Sequence, residues 1–264
     1  MQEFNKVTLE TIDTTGIMRL NDPDAMNAVS DEMLDGLWSC LNEVENSKSN
    51  IKCLVITGEG RGFCAGANLS GGSDRSNTGR QDAGHRLETS YHPILRRIKN
   101  LKIPMITSVN GPAAGVGMSL ALMGDIILAG KSAFFLQAFR RIGLVPDGGS
   151  TWLLPRLVGM ARAKELAILG ERLSAEKAFE WGLINRLFED SELHNESLKL
   201  AQELSHGPMS LGLIRKAFWE SFDNSYEEQI NLERELQFTA GQSNDFKEGV
   251  TAFLEKRDAN FTGK

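Results

Sequence analysis

Two short apolar runs, each followed by a stretch rich in glycine and alanine, constrain this chain more than any other feature. The first run, KCLVITG at 52–58, leads into GRGFCAGANL at 60–69. The second, PMITSVNG at 104–111, leads into GPAAGVGMSLALMGD at 111–125. Short apolar runs that end in glycine are typical of buried strands. Because small side chains let another group approach the main chain, the sequence predicts two strand ends with accessible backbone.

Further strand patterns predict an α/β fold. Residues 6–20 alternate around a Thr-Gly turn, as a β-hairpin does. Short apolar strands are also predicted at 125–130 and at 182–188. These strands alternate with helical patterns, which indicates parallel pairing.

The helical patterns lie between the strands and at the end of the chain. Ser30 is placed to cap a helix that runs to about Asn46. A polar loop over 70–84 precedes an amphipathic helix over 85–100, and residues 192–257 are almost wholly helical in pattern. The sequence therefore predicts a mixed core followed by a helical C-terminal region.

Composition narrows the class of protein. The 264 residues carry a net charge of −6, which argues against a nucleic-acid partner, since such proteins present a basic patch. No apolar run reaches the roughly 18 residues of a membrane span, and the first residues lack the pattern of a signal peptide. Cys40, Cys53 and Cys64 fit no disulfide framework and no metal-ligand spacing. We expect free thiols, a cytoplasmic location and neither a membrane nor a metal partner.

The two small-residue stretches have two interpretations. Each can be a tight, closely packed turn, and the glycine spacing does not fit a dinucleotide-binding loop. Alternatively, the two turns meet and present two backbone N–H groups to one developing oxyanion. Val116 supports the second interpretation. Its β-branched side chain resists positive φ, so Gly115 and Gly117 are predicted to take the unusual torsions.

With these motifs, the chain resembles the enoyl-CoA hydratase/isomerase family, the crotonases. The resemblance is carried by GRGFCAGANL, NGPAAGVG, IGLVPDGGSTWLLPRLVG and LSAEKAFEWGLINRLF, and covers essentially the whole chain. It implies an α/β spiral of ββα and βαβ units with a helical C-terminal trimerisation region. Residues 1–200 would form the acyl-CoA-binding core and residues 201–264 the oligomerisation region of a homotrimer or a dimer of trimers.

The resemblance also implies the binding site. The ligand would be a coenzyme A thioester, with no other tightly bound cofactor. By motif position, its carbonyl would sit between the amides of Ala67 and Val116. The implied substrate-binding residues are Ala65, whose carbonyl would meet the adenine amino group, together with Gly66, Gly115, Phe139 and Lys256. Lys256, or its neighbour Arg257, could contact a phosphate of coenzyme A that is bound by an adjacent subunit. Both residues also fit a solvated helix face.

Hydratases of this family carry two glutamates that this chain lacks. The matching positions hold Ser119 and Phe139. Water addition needs one group to activate water and another to protonate the α-carbon. Neither a serine nor a phenylalanine supplies these functions, and we interpret both as structural. The resemblance therefore favours an isomerase over a hydratase.

Asp147, in IGLVPDGGST, is the candidate proton-transfer residue. The apolar Leu144 and Val145 precede it and, with Phe139, are predicted to wall the carboxylate and raise its pKa. The alternative is a turn aspartate whose side chain bonds its own backbone. In the family, aspartate at this position is characteristic of certain isomerases and of a dehalogenase, which favours the catalytic interpretation.

The implied reaction is an isomerisation that needs one carboxylate. It shifts a double bond from the β,γ to the α,β position or, in the group that acts in phenylacetate breakdown, converts a ring 1,2-epoxide thioester to an oxepin. The alternatives are a hydratase-like activity, an aryl-CoA dehalogenase or a non-catalytic acyl-CoA-binding scaffold. His92 is relevant to the dehalogenase, which has a histidine at a similar place, although a structural role suits it better. Segments 70–92 and 136–145 are predicted to line the acyl pocket.

Overall fold

The computed structural model describes residues 1–69, 82 and 84–263. Most of the predicted loop 70–84 therefore lies outside the described residues. The seven strands of the larger sheet are β1 (Gln2–Phe4), β2 (Val7–Ile12), β3 (Thr15–Leu20), β4 (Cys53–Gly58), β5 (Met105–Val109), β7 (Ile126–Gly130) and β10 (Arg186–Phe188). A smaller sheet contains β6 (Ala113–Ala114), β8 (Phe134–Leu136) and β9 (Arg172–Ser174).

The helices cover the faces and one end of these sheets. They are α1 (Asp31–Val44), α2 (His92–Lys99), α3 (Val116–Ala121), α4 (Ser150–Val158), α5 (Met160–Leu169), α6 (Ala175–Glu180), α7 (Asp190–Ser205), α8 (Ser210–Ser221), α9 (Tyr226–Gly241) and α10 (Asn244–Glu255). A π-helix, Leu87–Tyr91, precedes α2, and 3₁₀ turns lie at Pro23–Ala25 and Ala138–Ile142.

The large sheet joins an antiparallel hairpin to a parallel array. Its order is β1-β2-β3-β4-β5-β7-β10, and the pairs from β3 to β10 are parallel, as predicted. The hairpin is also present, but the position predicted for its turn is wrong. Ile12 pairs with Thr15, so the turn is Asp13–Thr14, and Gly16 lies inside β3. Asp13 takes the left-handed conformation with φ 54°, which aspartate tolerates better than most residues.

Local signals account for the element nearest the site. The Ser30 hydroxyl accepts the Met33 amide at 3.3 Å and caps α1, as predicted. Apolar side chains spaced at three and four residues then bury one face of α1 against the sheet; they are Met33, Leu34, Leu37, Leu41 and Val44. After α1 the chain enters β4, whose six residues are all buried.

The two faces of the large sheet are covered differently. One face contributes to a core with α1, α2 and α3, whose largest fully buried side chains include Phe63, Phe135 and Met105. The other face packs its Ile17, Val55, Ile106 and Leu128 against Leu193, Leu200 and Ala201 of α7. The division predicted at residue 200 falls inside α7, and that division stays a prediction.

The C-terminal helices α8, α9 and α10 follow α7, which agrees with the helical pattern over 192–257. Among the described residues, no helix is long and apolar enough to cross a membrane.

Candidate active site

The two small-residue stretches are hydrogen-bonded to each other directly beyond β4 and β5. The Cys64 amide donates to the Pro112 carbonyl at 3.0 Å, and the Ala114 amide donates to the Cys64 carbonyl at 2.9 Å. A Cβ added at Gly66 would lie 2.9 Å from the Ala114 carbonyl oxygen and 3.9 Å from the Cα of Gly115. The main chains of the two turns are therefore in direct contact, and a side chain at position 66 would push them apart.

The glycines around Val116 serve two different purposes. Gly115 has φ 54°, the positive φ that the sequence predicted for it. The same prediction is wrong for Gly117, which lies inside α3. A Cβ at Gly117 would come within 2.3 Å of the Cys64 carbonyl oxygen, so this glycine is required by close packing.

The amides of Ala67 and Val116 have no acceptor among the described residues. Val29 and Ala67 form a parallel bridge in which Val29 donates to the Gly66 carbonyl and Asn68 donates to the Val29 carbonyl. That pattern directs the N–H of Ala67 away from Val29. Val116 is the first residue of α3, where an amide has no partner within the helix. Within the described part of the chain, neither amide donates a hydrogen bond.

Asp147 lies half-buried on the turn before α4, and the described residues leave one oxygen of its carboxylate without a hydrogen bond. Its Oδ1 atom is buried and has no hydrogen-bond partner among the described residues. Burial raises the pKa of Asp147 to about 6, with His92 opposing part of this rise. No described hydrogen bond joins this carboxylate to its own backbone, so the geometry does not support the turn-aspartate interpretation.

The apolar wall predicted around Asp147 is only partly correct. Leu144 is 43% exposed and Val145 is 79% exposed, so neither shields the carboxylate in this chain. The neighbouring Gly148 instead packs on α3, where an added Cβ would lie 2.7 Å from the Ser119 Cβ and 3.3 Å from the Val116 Cγ2. Long-range packing therefore replaces the adjacent residues as the source of burial.

Phe139 and Ser119 occupy buried positions beside the two turns. The Phe139 ring lies 3.8 Å from the place where a Gly115 Cβ would be. Ser119 is fully buried on α3, and its hydroxyl donates to the Asp147 carbonyl at 2.9 Å. An aromatic ring and a hydroxyl thus stand near the site, at the two positions where the hydratases of the resemblance carry carboxylates.

Tyr91 lies in the segment 70–92 that was predicted to line the acyl pocket, but the sequence analysis did not single it out. It ends the π-helix Leu87–Tyr91 and is 6% exposed. Burial, opposed by Arg86, raises the pKa of its hydroxyl to about 12, and Asp147 and Cys64 add to the rise. Tyr91 is therefore within electrostatic range of Asp147 and of Cys64 in the first small-residue stretch. The sequence predicted an ordinary helix here, since a π-helix has no periodic signature of its own.

His92 follows Tyr91 and is half-buried. Its Nδ1 lies 2.9 Å from Glu88 Oε2. It lines a cavity together with Gly148 and Gly149, the residues directly after Asp147, and it opposes the rise in the pKa of Asp147. The structure thus gives His92 a hydrogen-bond partner of its own.

The residues predicted to contact coenzyme A are less well assembled. Ala65 is exposed, and its amide donates to the Met26 carbonyl at 2.9 Å. Lys256 ends α10 in an exposed left-handed conformation. Arg257 is already engaged, since its guanidinium reaches Glu248 at 2.7 Å and Glu255 at 2.7 Å. Of the two basic residues, Lys256 is the better placed to contact a ligand.

The cysteines of the described chain are free and buried. Burial raises the pKa of each thiol, Cys40, Cys53 and Cys64, to about 12, so none is a reactive thiolate. No group of three or more metal-binding side chains occurs within residues 1–69, 82 and 84–263.

Comparison with known proteins covers nearly the whole chain. Residues 10–264 match the enoyl-CoA hydratase/isomerase family. A 1,2-epoxyphenylacetyl-CoA isomerase from Escherichia coli strain K12 is 46% identical over 248 residues, which make up 94% of each chain. A probable enoyl-CoA hydratase from Rhodobacter capsulatus is 39% identical over 99% of both chains.

The solved structures show the same similarity in three dimensions. An enoyl-CoA hydratase/isomerase from Cupriavidus metallidurans CH34 superposes with a TM-score of 0.92 at 31% identity, and the match covers 100% of this chain and 98% of that one. The match includes both small-residue turns, the Asp147 turn and the C-terminal helices.

Proposed function

Because the chain belongs to the enoyl-CoA hydratase/isomerase family, we propose that it is an isomerase of coenzyme A thioesters with Asp147 as its proton-transfer residue. The crotonase fold predicted from sequence is confirmed. One observation carries the proposal: a carboxylate oxygen of Asp147 is buried without a hydrogen bond to any described residue, and this burial raises the pKa of Asp147 to about 6. Such a carboxylate can both take and return a proton near neutral pH.

The proposed reaction on a β,γ-enoyl thioester needs only this carboxylate and two amides. Asp147 takes a proton from the α-carbon, and the electron pair of that bond moves to the thioester oxygen. The amides of Ala67 and Val116 donate to the oxygen while it is negative. The protonated Asp147 then delivers its proton to the γ-carbon, which leaves the double bond between the α and β carbons.

A ring 1,2-epoxide of phenylacetyl-CoA is the other proposed substrate. The carbon–carbon bond that the epoxide shares with the ring breaks, and its electrons become part of the double bonds of the seven-membered oxepin. Asp147 takes a proton from the α-carbon while the same amides hold the enolate oxygen, and it returns the proton to a ring carbon, which leaves a double bond between the α-carbon and the ring. The 46% identity to the 1,2-epoxyphenylacetyl-CoA isomerase supports this choice. Substrate and product have the same mass, so chromatographic separation of the isomers formed from a β,γ-enoyl-CoA and from the epoxide tests the proposal. If neither substrate is converted, the proposal is contradicted.

Coenzyme A enters this proposal as part of the substrate, with no other tightly bound cofactor. The small residues Gly66 and Gly115 leave room for the thioester, and the buried Phe139 closes the cleft beside Gly115. The Ala65 carbonyl would accept the adenine amino group. Lys256 of one subunit would contact a phosphate of the coenzyme A that an adjacent subunit binds. A complete site would therefore require the assembled oligomer.

We expect the protein to assemble as a trimer or a dimer of trimers. The helices α8, α9 and α10 expose large apolar side chains that a monomer would leave in water, among them Ile214, Phe218, Phe238, Phe246, Phe253 and Leu254. Light scattering at micromolar concentration measures the mass. Phe253→Asp, at a side chain 83% exposed, should weaken assembly without unfolding the subunit. A wild-type monomer would contradict the expectation and remove the role of Lys256.

Hydration of crotonyl-CoA should be very slow. Ser119 and Phe139 supply neither the base that activates water nor the acid that protonates the α-carbon. The two amides can still polarise the thioester, so weak residual activity is compatible with the site. Loss of the enoyl absorbance measures hydration, with isomerisation of a β,γ-enoyl-CoA by the same preparation as the control. Hydration of crotonyl-CoA at about 1–10³ per second, a turnover typical of enzymes, would contradict this prediction and indicate a hydratase.

A haloaryl-CoA dehalogenase is the second candidate, favoured by the influence of His92 on Asp147. In that reaction, the Asp147 carboxylate would attack the ring carbon, expel halide and form an ester that water then hydrolyses. Halide release and a covalent adduct on Asp147 would reveal it. Thioester binding without any turnover would indicate a scaffold.

A further inference from the structure

The backbone carbonyl of Asp147 is held by more donors than its side chain. The Ser150 amide donates to it at 3.1 Å and the Ser150 hydroxyl at 3.0 Å. These two contacts are local, three residues along the chain. The Ser119 hydroxyl donates to the same carbonyl at 2.9 Å from α3, a different element. Ser119 therefore ties the Asp147 turn to α3.

The turn also packs directly on Ser119. Gly148 has φ 61°, and a Cβ added there would lie 2.7 Å from the Ser119 Cβ and 3.0 Å from its hydroxyl oxygen. A larger side chain at position 119 would need the space that the turn now fills, and so would a side chain at position 148. The small serine therefore sets how closely the Asp147 turn approaches α3.

The carboxylate depends on this backbone arrangement. Oδ1 of Asp147 has no hydrogen bond among the described residues, so its position follows from that of the turn. The helix that holds the turn begins at Val116, whose amide belongs to the proposed oxyanion site. The Ser119 hydroxyl also lies 3.4 Å from the Gly115 carbonyl, one residue before that amide.

We propose that Ser119 is a positioning residue that sets the distance between the Asp147 carboxylate and the Val116 amide. This inference rests on the proposed isomerase function. A proton-transfer group must stay within hydrogen-bond reach of the carbon it serves while the thioester oxygen is held. Ser119 meets this need by binding the turn with its hydroxyl and by being small enough to let the turn approach.

The Ser119→Ala variant tests the hydroxyl while keeping the space. We expect kcat for isomerisation to fall about 10- to 100-fold, because a misplacement of about 1 Å can cost 10²-fold in rate. KM should change much less, since the proposed thioester contacts are backbone amides. Ser119→Cys keeps a weak donor and nearly the same size, so its kcat should lie between those of the wild type and Ser119→Ala.

The pH profile separates positioning from a general loss of structure. In the wild type, kcat/KM should rise with pH through about 6, where the Asp147 carboxyl loses its proton. His92 on α2 and Tyr91 on the π-helix are the titratable groups that interact electrostatically with this carboxyl. When the turn loosens in Ser119→Ala, the carboxylate gains water, its pKa falls, and this acidic limb moves to lower pH.

Ser197→Ala is the matched control. Ser197 is 3% exposed, and its hydroxyl donates to that of Ser108 at 2.8 Å, so the variant also removes one buried serine hydrogen bond. It lies on α7 and should lower the melting temperature without changing kcat or the acidic limb. Thermal melts of both variants show whether the losses of stability are comparable.

The possible outcomes separate this inference from the function on which it rests. If the wild type isomerises neither substrate, the proposed function fails. If it does, but Ser119→Ala keeps the wild-type kcat and acidic limb, the positioning role is overturned and the function stands. A fall in kcat that Ser197→Ala matches, or that leaves the limb in place, would indicate a general effect and also overturn the positioning role.

Discussion

The Asp147→Asn variant should isomerise its substrate about 10²- to 10⁴-fold more slowly than the wild type, the usual contribution of a general acid–base residue. Asparagine keeps the shape of the side chain but cannot take the proton. Affinity for the thioester should change little, because the proposed contacts to its oxygen come from the amides of Ala67 and Val116. Steady-state kinetics and titration of a non-reacting acyl-CoA measure the two quantities.

The pH dependence follows from the raised pKa of Asp147. Burial raises that pKa from 3.8 to about 6, so the carboxylate is deprotonated and active only above that value. Below it, kcat/KM of the wild type should fall about tenfold per pH unit as the base is protonated. The acidic limb should be absent in whatever activity remains in Asp147→Asn.

The stability of the same variant provides an independent check. A carboxyl whose folded pKa is raised above its unfolded value destabilises the folded state as pH rises through the folded pKa, about 6 here. Asp147→Asn should therefore be at least as stable as the wild type at pH 7 to 8. A lower melting temperature there would indicate a structural role for the carboxylate.

Asp13→Asn is the matched control for activity. Asp13 is also a turn aspartate, in the left-handed conformation that asparagine accepts equally well. It lies in the β2–β3 hairpin and should keep wild-type kinetics. Wild-type isomerisation by Asp147→Asn would show that Asp147 is only a turn residue. Much weaker binding of acyl-CoA would assign it a role in binding.

The Arg215→Met variant should lose about 3–5 kcal/mol of unfolding free energy, as expected when one partner of a buried ion pair is removed. The Arg215 side chain is 2% exposed, and its Nε donates to Asp125 at 2.8 Å. Its guanidinium also donates to the backbone carbonyls of Ile98 and Lys99. Methionine fills the space but supplies no donor. Denaturant unfolding at a fixed protein concentration measures the loss.

Most of this loss of unfolding free energy would come from the buried Asp125 carboxylate that is left unpaired, and less from the net stabilisation by the ion pair itself. Burial raises the pKa of Asp125 and lowers the pKa of Arg215, although each group opposes the shift of the other. Desolvation therefore outweighs the attraction between them. Adding Asp125→Asn to Arg215→Met should recover part of the stability, because a neutral amide replaces the unpaired charge.

Arg234→Met is the control for the loss of an arginine from the C-terminal helices. Arg234 is 73% exposed and approaches Glu235 only to 3.8 Å. Its replacement should change stability by less than about 0.5 kcal/mol. If Arg215→Met were no less stable than Arg234→Met, the stability of the fold would not depend on this ion pair.

Local sequence signals were sufficient for most elements of the fold. The apolar runs predicted β4 and β5, and Ser30 predicted the start of α1, because a strand face or a helix cap is specified by residues close in the chain. The hairpin turn was misplaced because both Asp13–Thr14 and Thr15–Gly16 contain turn-forming residues. Only the pairing of Ile12 with Thr15 decides between them.

The candidate site could be predicted from motifs, and the structure adds how its parts meet. The small residues 60–69 and 111–117 indicated exposed backbone, and the structure joins the two turns through Cys64. The roles of Ala67, Val116 and Asp147 stay predictions that the kinetics above test. Tyr91 carried no recognisable signal, because its burial depends on a π-helix.

The sequence by itself determined that Asp147 lies on a polar turn within an apolar segment. The tertiary structure decided that its neighbours Leu144 and Val145 face solvent and that the turn packs instead on Ser119, 28 residues away. It likewise decided that Gly117 is required by the Cys64 carbonyl rather than by its own torsion. A local pattern records which residues can be buried or can bend the chain. The pKa of a carboxylate depends on the groups that exclude water from it, and these come from distant parts of the chain.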